Sequence, residues 1–229
     1  SSGTSSVKSI ISSEPLNISG GTLTVGTAQS PGPITMNNVL TLSGSSRLVN
    51  AYIASSSQPF QIASNGAQVA HVIIATGVTV QVTGANVLNV LNGLTLNGSI
   101  QVSSTSSYTA IEFEGGDQTL SGTGEIVFSG TSTNSFVNLV PSGLDLTIVD
   151  VTIRGRGRVS GGTNTTLVNR GKLRADVSAA PLWISVPSWT NGTPGIPGGT
   201  LETTNNATLF LDGSWTNDGS LVVNGGAAA

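Results

Sequence analysis

The sequence predicts an all-β chain wound as a right-handed parallel β-helix, a β-solenoid of about nine or ten coils. Three observations carry this expectation. Short alternating apolar–polar runs recur, each closed by Gly, Asn or Ser. An apolar-x-Asn element returns at a spacing centred near ~24 residues. Helix formers are scarce: charged residues are 8 % of the 229, whereas Ser and Thr supply 60 residues, Gly 30 and Asn 18.

Taken in order, residues 1–15 read as an N-terminal linker or cap, 16–226 as one solenoid domain and 227–229 as a tail. Strand-like runs fall at 22–25, 78–82, 94–96, 100–102, 125–128, 146–148, 151–153 and 208–211. Each is three to six residues long, the pattern of half-buried strands joined by tight turns. No stretch of ten residues combines helical apolar spacing with a cap.

The plainest repeat sets Ser188-Trp189-Thr190-Asn191 against Ser214-Trp215-Thr216-Asn217. Stepping backward, the same slot holds Asn169, Asn138, Gly115, Asn92, His71 and Asn50. The residue two places earlier is apolar every time: Leu48, Val69, Val90, Phe113, Phe136, Leu167, Trp189 and Trp215. A second series, Leu94, Leu120, Leu146, Leu173, Leu201 and Leu221, keeps nearly the same period. One such period suits one turn of a solenoid whose strands stack in parallel on the turn below. Inward positions then form apolar files. Asn at the corners tolerates a left-handed backbone and can hydrogen-bond to the Asn above it. Gly does the corner's work without a side chain, which accounts for Gly115. The apolar series enlarges toward Trp215, so the cross-section is expected to widen. Turns of uneven length lack the hexapeptide rhythm of left-handed solenoids and favour the right-handed form.

Composition excludes several functions. The net charge of −3 offers no basic footprint for nucleic acid. No apolar run approaches ~18 residues, so no membrane insertion is expected. Cysteine is absent, and nothing calls for a cofactor. A Ser/Thr/Asn/Gly-rich, charge-poor chain fits a secreted or cell-surface protein. Residues 1–13 show no secretion-signal pattern, and the chain reads as a piece of something longer, with neighbouring domains as partners.

Candidate chemistry is sparse. Hydrolysis of a glycosidic bond needs two carboxylates facing across the sugar. The densest acids are Glu112, Glu114 and Asp117, with Glu125 further on, and Glu112 and Glu114 share one strand face. His71 is the only histidine and occupies an Asn slot, so it reads as a corner residue. Six of the eight cations fall within 154–174. Arg154, Arg156 and Arg158 alternate with Gly, as Arg170, Lys172 and Arg174 do with their neighbours, so each trio would share a strand face. Together they would form a basic ridge for an anionic glycan. The competing reading is neutralisation by Asp145, Asp150 and Asp176. Trp189 and Trp215 read as core. Trp183 lies in 179–199, which holds four of the nine prolines and reads as a projecting loop, making it the best-exposed sugar platform.

Elements such as Leu94-Thr95-Leu96-Asn97-Gly98-Ser99-Ile100 and Trp215-Thr216-Asn217-Asp218-Gly219-Ser220-Leu221 resemble coils of bacterial extracellular parallel β-helix proteins, the surface adhesins and autotransporter passengers. The resemblance covers most of the chain from about Leu16. It implies secretion or surface display and a structural or adhesive role, with no cofactor. The expectation is therefore a non-catalytic scaffold, stalk or adhesin segment contacting a polysaccharide or cell-surface glycan through Arg154, Arg156, Arg158, Arg170, Lys172, Arg174 and Trp183. The alternative is a polysaccharide lyase or glycoside hydrolase on the same fold.

Overall fold

The computed structural model describes residues 3–225 and 227–228, and among these there are strands and turns but no helix. Every strand pairing is parallel, and each strand pairs with strands one turn away. The chain is a parallel β-solenoid of about ten turns, each contributing to three faces in the same order. Strands at 21–25, 46–49, 109–114, 135–139 and 157–161 belong to the first face. Those at 32–36, 51–56 and 118–121 belong to the second. Those at 40–42, 60–62, 79–83, 99–103 and 125–128 belong to the third. In several turns one strand of ten or eleven residues crosses a corner and serves two faces, as 87–96, 145–155 and 181–191 do.

Alternation along each strand explains the core. On the third face Phe60, Val80, Ile100, Ile126, Ile153, Leu173 and Leu201 stand directly above one another and are fully buried. Side chains between them point outward. At roughly 1.5–3 kcal/mol per fully buried aliphatic side chain, such files contribute much of the cohesion between turns.

The expected apolar series proves to be two files. Leu48, Val69, Val90 and Phe113 are stacked in register on the first face, but the next member is Leu139. Phe136 points outward, between Ala110 and Arg158. Leu167, Trp189 and Trp215 form a file on the second face, above Leu146. The apparent growth in side-chain size joined positions on different faces, so it is no measure of a widening core. Trp189 is buried, whereas Trp215 is 37 % exposed because few turns lie beyond it. The leucine series divides likewise: Leu94 pairs with Leu120, and Leu173, Leu201 and Leu221 make another file.

The Asn slots also separate: Asn138 faces outward within a first-face strand, and the others form two devices. Asn50, His71, Asn92 and Gly115 sit at one corner with φ of 54°, 50°, 59° and 94°, the left-handed turn that Asn and Gly tolerate best. Asn169, Asn191 and Asn217 instead stack on the second face as a hydrogen-bonded ladder. The 1–15 stretch contributes strands at 4–7 and 10–12, which stack on 22–25 and 34–36 as part of the solenoid. Ala227 and Ala228 pair with Thr208 and Leu209.

Candidate functional site

The six clustered cations divide among the faces. Arg154, Lys172 and Arg174 lie on the third face, where Arg154 and Arg174 are vertical neighbours. Acids from adjoining turns interleave with them. Arg154 makes a bidentate pair with Glu125 (Nε–Oε2 2.7 Å, Nη2–Oε1 3.2 Å) and reaches Asp176 at 3.3 Å. Lys172 meets Glu202 at 3.1 Å, and Arg174 lies 3.6 Å from Glu202 and 3.9 Å from Asp176. The hydrogen bonds from Glu125 raise the Arg154 guanidinium pKa further above its ordinary value. Three cations and three acids therefore cancel locally. Each pair is partly exposed and worth only about 0–1 kcal/mol. Of the three acids expected to neutralise the ridge, Asp176 takes part; Glu125 and Glu202 come from distant parts of the sequence.

Arg154, Arg156 and Arg158 do not share a strand. The strand 145–155 ends at Gly155, whose φ of 106° turns the chain, and the next begins at Gly157. Arg156 is left at the corner and donates from Nη1 to the Thr131 carbonyl at 2.6 Å. Arg170 stands on the second face beside Val149, with its Nε buried and unpartnered. Arg158 lies on the first face, between Phe136 and Trp183 in register. Its guanidinium carbon is 4.5 Å from the Trp183 ring centroid.

Trp183 is in the strand 181–191 and half-buried, not in a projecting loop. Alternation runs through its first half (Leu182, Ile184 and Val186 inward) and resumes after a break at 187–188, so the prolines at 181 and 187 fall at its start and at the corner where the register shifts. Trp183 stacks on Phe210 at 5.5 Å and 12°. With Arg158 over one face and Phe210 on the other, its ring presents an edge to solvent.

The acids lie apart from these cations. Glu112 and Glu114 both point outward from one strand, and Tyr108 donates to Glu112. Burial, and then the Glu112 charge, push the Glu114 carboxyl above its usual range. Burial and Glu112 likewise raise the Tyr108 hydroxyl. Asp117 accepts from the Asp145 backbone N–H at 3.1 Å. A depression of about 540 Å³ over the second face is lined by His71, Asn92, Thr95, Asp117, Thr119 and Ser121 among others. Among the described residues no three His, Cys, Asp or Glu are grouped to hold a metal ion.

One feature escaped the sequence reading. The residues just before the first-face apolar file form a polar row in register, Arg47, Gln68, Asn89, Glu112 and Asn138, continuing through Ser160, Ser185 and Asp212; Asn89 is covered, and the others are at least partly exposed. Reading one position ahead of Leu48, Val69, Val90 and Phe113 would have found its first half. Compared with protein-family models, curated proteins and solved structures, the chain finds no match.

Proposed function

We propose that this chain is a non-catalytic scaffold or stalk segment of a secreted or surface-displayed bacterial protein, of the adhesin or autotransporter-passenger kind, that contacts glycans along its flank. The supporting observation is the unbroken parallel stack, which lays the same three outward faces, one rung apart, along its whole length. A rung spacing of about 4.8 Å suits repeated contacts with an extended polymer. Glu125, Asp176 and Glu202 lie within ion-pair distance of cations, and Glu112 and Glu114 project side by side from one strand, an arrangement that suits charge balance on a scaffold.

The rival is a carbohydrate-active enzyme, and the raised Glu114 beside Glu112 is what favours it. Incubation with a polysaccharide panel, followed by assays for new reducing ends and for unsaturated products, separates the two. A scaffold gives neither. Turnover that disappears in Glu112→Gln or Glu114→Gln would establish the enzyme instead.

A further inference from the structure

We infer that the first face carries a receptor for a carboxylated polysaccharide, centred on Arg158 and running along the polar row beside it. The inference rests on the adhesive half of the function proposed above.

Arg158 and Arg170 are the two cations of the cluster tied neither to an acid nor to a backbone carbonyl among the described residues, and of these Arg158 alone lies over an aromatic ring, whereas the Arg170 Nε is buried. Arg154, Lys172 and Arg174 are tied to acids, and Arg156 to a backbone carbonyl. Among the described residues no carboxylate lies within 4.0 Å of Arg158. Arg158 is half-buried and in register between Phe136 and Trp183, its guanidinium carbon lies 4.5 Å from the Trp183 ring centroid, and Phe210 backs that ring. The Trp183 ring shields one side of the guanidinium and offers no hydrogen bond, which leaves its N–H fork for an external acceptor. A planar carboxylate matches that fork, and ordering the fork in advance removes part of the entropy cost of binding.

Hydroxyl-bearing polymer has partners alongside. Ser160 is two residues from Arg158 on the same strand and donates to Asn138 Oδ1 at 3.0 Å. Asn138 donates to the Tyr108 hydroxyl at 3.1 Å. Ser185 follows on the next rung. Glu112 and Asp212 each lie two rungs from Arg158 in the neighbouring row, about 10 Å along the axis. They repel a uniformly dense polyanion more than a chain with carboxylates spaced among hydroxyls. Because both faces of Trp183 are occupied, the grip is by charge and hydrogen bonds, with ring stacking on sugar playing no part.

Affinity electrophoresis in gels containing alginate, dextran sulfate or plain dextran tests the inference. The expected result is retardation by alginate that weakens with added salt, at least a tenfold loss in Arg158→Gln, and no recovery in Arg158→Lys, whose point charge cannot form the fork. Lys172→Gln, on the neutralised third face, should stay within twofold of wild type. Thermal unfolding of each variant separates lost binding from lost fold. Equal retardation of wild type and Arg158→Gln would overturn the inference, as would binding to dextran sulfate or dextran but not alginate. Absence of retardation in all three gels would also remove it, while the scaffold reading, judged by the turnover assays, would stand.

Discussion

Asn191 is the middle rung of the buried ladder, and its removal should cost more than that of any exposed Asn. Its side chain accepts from Asn169 Nδ2 at 2.7 Å. Its own Nδ2 is aimed at Asn217 Oδ1 at 2.7 Å, with the Ser220 and Gly199 carbonyls at 3.2 and 3.3 Å. Asn169 and Asn191 are both fully buried. Asn191→Ala therefore strands a buried amide donor on Asn169 and withdraws a donor from two backbone carbonyls. One orphaned buried polar group costs about 1–3 kcal/mol, and the small void adds to it. The expected loss is about 2–4 kcal/mol, or roughly 4–16 °C in Tm for a chain of this size. Asn217 is exposed, so water can replace its contact, and Asn217→Ala should cost under about 1 kcal/mol. Urea unfolding followed by tryptophan fluorescence reports on this region directly, since Trp189 and Trp215 are stacked 5.1 Å apart two residues from the ladder. An Asn191→Ala variant within about 0.5 kcal/mol of wild type, or an equal loss from Asn217→Ala, would refute the ladder as a stabilising device.

Three further outcomes follow from the geometry. His71 holds a φ of 50° at the corner shared with Asn50 and Asn92, so His71→Asn should leave Tm unchanged or slightly raised, while β-branched His71→Val should lose about 1–2 kcal/mol in denaturant titrations. A Cβ on Gly155 would sit 2.4 Å from the Phe128 carbonyl oxygen at a φ of 106°, so Gly155→Ala should destabilise by about 2 kcal/mol or more in the same titrations. Glu114 has a raised carboxyl pKa, so its contribution to stability is present below the ordinary carboxylate range and is lost as pH rises through the raised value. Glu114→Gln should accordingly unfold at a higher temperature than wild type at neutral pH, and the difference should close in acid.

The architecture was legible because a parallel stack repeats its chemistry at every turn. Alternation located strands such as Glu125–Phe128 to the residue, and the left-handed preference of Asn and Gly marked one corner through Asn50, Asn92 and Gly115. The assignment of files was not legible. Three faces share one period, so Phe113 and Phe136 look equivalent in sequence while one points inward and the other outward. The basic cluster misled for a related reason. Alternation puts Arg154, Arg156 and Arg158 on one side only where no corner intervenes, and Gly155 makes one. The partners Glu125 and Glu202 lie nearly thirty residues from Arg154 and Arg174 in sequence yet on adjacent turns, a proximity that only the winding creates. Trp183 seemed to belong to a loop because prolines surround it, but Pro181 opens its strand and Pro187 occupies a corner, where a missing N–H is tolerated.

Because every backbone ladder runs along the long axis, a load applied to the two ends falls on one boundary winding at a time. Peeling that winding breaks its three short ladders and frees about 24 residues, some 80 Å of slack at full extension. Stretching a single molecule should therefore give a sawtooth of many small, similar releases in place of one large rupture, and the chain would behave as a tether that yields in steps.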